Sequence, residues 1–190
     1  RSIYPNDNQP EIASSLNNIG AVYKSLGKYD EALNYYEQSL KIFRSIYPND
    51  NHSHIATSLN NIGSVYRSLG KYDKSLNYFE LSLQILRLIY PNDNQPEIAA
   101  SLNNIGGVYD SLGKYDEALN YYEQSLKIRR SIYPNDNQPD IATSLNNIGS
   151  VYDSLGKYDE ALNYYEQSLK ILRSIYPNDN QPEIAATLNN

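Results

Sequence analysis

The pentapeptide Tyr-Pro-Asn-Asp-Asn starts at Tyr4, Tyr47, Tyr90, Tyr133 and Tyr176, each 43 residues after the last. Leu-Asn-Asn-Ile-Gly keeps step from Leu16, Leu59, Leu102 and Leu145, and Leu188-Asn189-Asn190 begins a fifth copy. A chain with a fixed period of this length builds one structural unit several times and buries each copy against the next. Four periods account for 172 of the 190 residues. The period also explains the composition. With 20 Tyr but no Trp, Met or Cys, the tyrosines are five roles copied four times, not an aromatic-rich surface.

Within a period, Ile12, Leu16, Ile19, Tyr23 and Leu26 recur at 4-3-4-3 spacing, the stripe of an amphipathic helix. Pro10 and Glu11 suit its first turn, and Gly27 offers a left-handed residue to end it. A second stripe, Tyr29, Ala32, Leu33, Tyr36, Leu40, Phe43 and Tyr47, opens at Asp30-Glu31 and stops at Pro48. Pro48-Asn49-Asp50-Asn51 is turn chemistry. Each period therefore reads as two antiparallel helices of about 16 and 18 residues, with Gly20 allowing them to approach closely. The fold class is all-α, an α-solenoid of antiparallel helix hairpins. The units read as 13–55, 56–98, 99–141 and 142–184. Residues 1–12 are the end of a preceding copy with its loop, and 185–190 start a truncated fifth.

The motifs Leu16-Asn17-Asn18-Ile19-Gly20-x-x-Tyr23 and Gly27-Lys28-Tyr29-Asp30-Glu31-Ala32-Leu33 resemble the tetratricopeptide repeat. Its usual proline at the close of the second helix is replaced by Arg44, and that helix is expected to run on to Tyr47. The longer period, with the loop Asn6-Asp7-Asn8-Gln9-Pro10-Glu11-Ile12-Ala13, looks most like the repeats of kinesin light chains. The resemblance implies a right-handed superhelix whose first helices line a concave groove, and a protein-interaction scaffold as the function.

On that arrangement Ser14, Asn17, Asn18, Ala21 and Lys24 share the groove side of the first helix. The asparagine pair recurs as Asn60/Asn61, Asn103/Asn104 and Asn146/Asn147. A carboxamide carries donor and acceptor together, so one per repeat can grip an extended peptide by its backbone. The resemblance implies this role for Asn18, Asn61, Asn104 and Asn147. Hydrogen bonding between adjacent helices is the alternative for every pair and the preferred reading for the first members, Asn17, Asn60, Asn103 and Asn146.

Copies that differ say more than copies that agree. Lys24 becomes Arg67, then Asp110 and Asp153, while Ala21 becomes Ser64, Gly107 and Ser150. The first two repeats thus offer positive charge and the last two negative, and the ligand is expected to carry acidic groups at one end and basic groups at the other. Residues 13–55 and 56–98 each hold four basic and four acidic side chains, against four and six in 99–141 and three and six in 142–184. In the second repeat, His52-Ser53-His54 replaces Gln-Pro-Glu or Gln-Pro-Asp. Two histidines without an assignable third ligand read as a solvated loop, so no metal is expected. Asn51-His52-Ser53 also fits a glycosylation sequon, relevant only to a secreted chain. Leu81 and Leu88 replace Gln38 and Ser45 and widen an apolar strip on the second helix.

The formal charge of -6 argues against nucleic-acid binding, and no apolar run is long enough to span a membrane. Gly27-Lys28-Tyr29 lacks the spacing and hydroxyl of a phosphate loop, and the carboxylate pairs such as Asp30-Glu31 serve a helix's first turn. No base stands near the serines and tyrosines in a recurring constellation, so neither enzymatic activity nor a cofactor is expected. The absence of Cys and of an export signal points to the cytoplasm. Arg1-Ser2-Ile3-Tyr4 matches Arg44-Ser45-Ile46-Tyr47, so a fragment of a longer array is expected. The rival function is self-association of such an array end to end, with no specific groove ligand.

Overall fold

The structure, a computed structural model, describes residues 10–176 and residue 187. These residues form eight helices: α1 (Pro10–Ser25), α2 (Tyr29–Ile46), α3 (Ser53–Ser68), α4 (Tyr72–Ile89), α5 (Pro96–Ser111), α6 (Tyr115–Ile132), α7 (Pro139–Ser154) and α8 (Tyr158–Ile175). Odd helices have 16 residues and even ones 18, as the stripes predict. The four hairpins are α1/α2, α3/α4, α5/α6 and α7/α8. The 43-residue units read from sequence are cut at other points than these helix pairs. The expected helix tail at residues 1–4 lies outside the described residues. So does the truncated fifth helix at 185–190, except for Thr187, which is helical and buried.

Each hairpin turns on a glycine. Gly27, Gly70, Gly113 and Gly156 have φ between +67 and +71. The Gly27 N–H donates to the Lys24 carbonyl at 3.0 Å and the Lys28 N–H to that of Tyr23 at 2.9 Å, the paired bonds of a Schellman ending. Gly20, Gly63, Gly106 and Gly149 set the spacing within the hairpins. A Cβ there would lie 2.8–2.9 Å from the ring of Tyr36, Phe79, Tyr122 or Tyr165. A buried hydroxyl then pins the pair: Ser39 donates to the Ala13 carbonyl at 2.7 Å, and Ser82, Ser125 and Ser168 do the same to Ala56, Ala99 and Ala142.

Even helices end at Ile46 and its counterparts, one residue short of the expected tyrosine, which instead caps them: the Tyr47 N–H donates to the Phe43 carbonyl at 2.8 Å. In the turn that follows, Asp50 and Asp136 take positive φ and pair with Arg44 at 3.0 Å and Arg130 at 3.3 Å.

The chain divides into two compact units, one running to Asn92 and one from Asp93. In unit 1, α3 packs against both α2 and α4; in unit 2, α7 packs against both α6 and α8. Accordingly Ile55, Leu59 and Ile62, and Ile141, Leu145 and Ile148, are buried as the stripe requires. Two positions depart from the stripe, besides Ile19 of α1, which is 40% exposed. Leu26 is 63% exposed, with Leu112 and Leu155 also exposed, because this position lies at the helix end beside the turn. Val65 and Val151, absent from the stripe, are fully buried. Within each unit the odd helices also meet, α1 with α3 and α5 with α7, whereas the even helices make no comparable approach. The odd helices thus lie on the tighter side of each unit.

Candidate functional site

The predicted groove residues occupy this odd-helix side, and their amides fall into two groups. In unit 1, Asn17 Nδ2 donates to Ser58 Oγ at 3.1 Å, tying α1 to α3. In unit 2, Asn146 Nδ2 donates to Thr187 Oγ1 at 3.0 Å. Asn147 Nδ2 donates to Asn103 Oδ1 at 3.0 Å, so this second-position amide is partly used within the protein. A carboxamide has two donors and two acceptor sites, so Asn147 keeps a carbonyl oxygen and one N–H. Asn60 and Asn104 are half-buried and engaged by other groups. Asn18, exposed, and Asn61, half-buried, make no side-chain hydrogen bond with another described residue.

Lys24 and Arg67 stand in the last turns of α1 and α3, where cations complement the carbonyl end of the helix. Lys24 Nζ donates to Ser64 Oγ on α3. Burial first, and the nearby Arg67 guanidinium second, hold the Lys24 ammonium below its ordinary pKa. Two like charges are therefore close to one another in unit 1. In unit 2 the equivalent positions hold Asp110, half-buried and engaged, and Asp153, exposed. An acid in the last turn opposes the helix dipole, so these aspartates are locally unfavourable. The Tyr165 phenol is pushed up by burial, then by Asp153, while a hydrogen bond with Ser150 opposes both.

The histidine loop is not simply solvated. His52 caps α3, its Nδ1 accepting the His54 N–H at 3.3 Å, and His54 already lies within the helix. Among the described residues no group of three or more His, Asp or Glu side chains is placed to hold a metal ion. Leu81 and Leu88 are exposed on α4 as expected.

Three features are not evident in the sequence. Each hairpin carries a stacked tyrosine pair, such as Tyr23 with Tyr35 at 5.2 Å between ring centres, with a lysine over the first ring. The buried serines that bind helix carbonyls are ordinary polar letters in the pattern. Arg129 is 6% exposed at the position of Phe43, Leu86 and Leu172, and only comparison of the four copies in register would have found it. Two small cavities in unit 2, of about 250 and 330 Å³, lie around Tyr133–Gln138 and Arg130–Lys170, and no groove asparagine lines either.

The tetratricopeptide repeat model matches residues 2–45, 11–88, 54–131 and 97–174. No curated protein sequence matches the chain at a significant level. Among solved structures, BtubC (BKLC) from P. vanneervenii superposes with a TM-score of 0.77 at 23% identity, covering 92% of this chain and 68% of that one. A putative kinesin light chain of Podosopora anserina with nearly identical TPR-like repeats gives 0.75 at 20% identity, covering 94% of this chain and 83% of its own. A single-substitution variant of that protein gives the same score and identity over 82% of its chain. These likenesses establish the fold. No helix among the described residues is long and apolar enough to cross a membrane. With its repeat motifs, four helix hairpins and a family match running almost from end to end, the chain belongs to the tetratricopeptide repeat family, a family of non-catalytic interaction scaffolds.

Proposed function

We propose that the chain is a protein-interaction scaffold whose odd-helix faces hold an extended peptide segment. The observation that carries this reading is the pairing in unit 1 of two amides with no partner among the described residues, Asn18 and Asn61, with two neighbouring cations, Lys24 and Arg67. The amides suit peptide N–H and C=O groups, and the cations suit acidic side chains. Unit 2 offers the opposite charge through Asp110 and Asp153 and fewer unused amide groups, so its preferred segment is basic. Asn17 and Asn146 hold neighbouring helices in register, and their effect on a ligand is indirect.

Peptides selected by display against the full chain provide the test. Asn18→Ala with Asn61→Ala should weaken an acidic selected peptide about tenfold, the loss of one or two hydrogen bonds. Lys24→Glu with Arg67→Glu should weaken it further and flatten its salt dependence. Unaltered affinity in the asparagine pair would remove the amide grip.

Self-association has its own supporting observation. On α1, Ile19, Val22 and Leu26 are 40%, 59% and 63% exposed, and on α8 Tyr158 and Leu162 are 65% and 58% exposed. In α3 the counterparts Ile62 and Val65 are fully buried. A second copy stacking on these faces would repeat the α2–α3 packing. Light scattering over a concentration series, repeated with Val22→Lys and Leu162→Lys, separates the readings: variants that stay monomeric and still bind the peptides support the scaffold alone.

A further inference from the structure

The junction between α2 and α3 departs from the other loops in three respects at once. His52-Ser53-His54 replaces Gln-Pro-Glu or Gln-Pro-Asp. The first turn of α3 has no acid, whereas α1, α5 and α7 carry Glu11, Glu97 and Asp140. The side chain near the end of α2 is Phe43, where the other repeats have Leu86, Arg129 and Leu172. These changes meet in space. His52 stacks on Tyr47 with ring centres 3.7 Å apart and planes within 6°. His54 stacks on Phe43 at 4.8 Å and 15°, and the two imidazoles are 4.9 Å apart. The column of four rings spans from the end of α2 to the start of α3.

We propose that this column is an acid-sensitive latch: with the His52 imidazole neutral it fastens the start of α3 to the end of α2, and protonation of His52 releases it. The capping bond needs the lone pair of His52 Nδ1, which a proton occupies. Stacking survives protonation; the acceptor does not. A charged His52 would also lie at the helix end that already carries partial positive charge, 4.9 Å from the His54 ring. The surrounding groups give little compensation. From α2 come Phe43, Tyr47 and Arg44; from the loop comes Asp50, already paired with Arg44 at 3.0 Å; from α3 comes His54. Burial first, and His54 second, lower the pKa of His52, in accord with this geometry.

The sign follows from proton linkage. A histidine lowered by folding binds more protons when unfolded, so the latch is intact above the free imidazole value of about 6.5. Its contribution fades as pH falls from there toward the lower folded value. The latch, at the start of α3, does not depend on the proposed peptide site.

Amide hydrogen exchange on the full chain, corrected for intrinsic rates, tests the latch. The probes are Ile55 and Ala56, whose N–H groups bond to the His52 carbonyl, with Ile141 and Ala142 of α7 as internal control. Between pH of about 7.5 and about 5.5, protection in α3 should fall about fivefold, the weight of one lost cap, and protection in α7 should hold. His52→Gln, Ser53→Pro and His54→Glu together install the loop that precedes α5 in this same chain, so the variant has a folded precedent. It should abolish the pH dependence. An equal fall in α7, no fall in α3, or a fall that persists in the triple variant would each overturn the latch.

Discussion

Replacing Arg129 with leucine should stabilise unit 2. The guanidinium is 6% exposed, while Leu86 and Leu172 at the same place in other repeats are 2% exposed, so the cavity accepts leucine. Arg129 donates to the Asp140 carbonyl and, at 2.8 Å, to Ser144 Oγ. Burial lowers its pKa, with Asp140 and Tyr133 acting against the fall, so the ion bears a desolvation cost. Two hydrogen bonds to a charged group contribute about 3–5 kcal/mol together, and desolvating the ion costs several kcal/mol in return. A buried leucine adds about 2 kcal/mol and leaves no polar group behind on its own side. Ser144 would need a new partner; of its counterparts, Ser58 takes Asn17 at 3.1 Å, while the buried Ser101 hydroxyl has none among the described residues. The net expectation is a gain of about 1–3 kcal/mol, in line with other exchanges of buried ions for packed hydrophobes. Hydrogen exchange in α7 reads the change locally, which matters because arrays need not unfold in one step. Protection there should rise about fivefold or more, and Arg129→Ala, which leaves a void, should lower it. If Arg129→Leu lowered protection as well, the guanidinium bonds would outweigh desolvation and the reasoning would fail.

Other substitutions test separate parts of the structure. Gly106→Ala drives a Cβ to 2.8 Å from the Tyr122 ring and should cost about 1–3 kcal/mol in urea unfolding. Ser125→Ala removes the bond to the Ala99 carbonyl and should cost about 1–3 kcal/mol by the same measurement. Asp153→Lys places a cation at the end of α7 and should raise thermal stability by about 0.3–1 kcal/mol, less in high salt. The same change should weaken any basic peptide that unit 2 binds.

The fold is legible because its determinants are local and repeated. Gly27 and Pro48 mark breaks whose physics needs no tertiary contact, and the apolar spacings fix which helix faces meet. Gly20 can be read as a close-approach residue because no other side chain suits that gap. Leu26 departs from its stripe because periodicity says nothing of how far a neighbour extends along a helix. The site is less legible. Sequence puts the asparagines on one face, yet whether an amide is spent inside the protein depends on side-chain reach across repeats: Asn147 finds Asn103, while Asn61 finds no described partner. His52 reads as a loop residue because a cap depends on backbone direction, and imidazole is an uncommon acceptor there. Arg129 is hidden as long as the copies are treated as equivalent.

The amide grip is tested most directly by following side-chain NH2 signals in a nitrogen–proton correlation spectrum while an acidic selected peptide is added. Asn18 and Asn61 should shift in proportion to peptide bound, while Asn34 and Asn77, exposed on α2 and α4, stay in place. Saturated binding with the Asn18 and Asn61 signals unmoved would contradict the account.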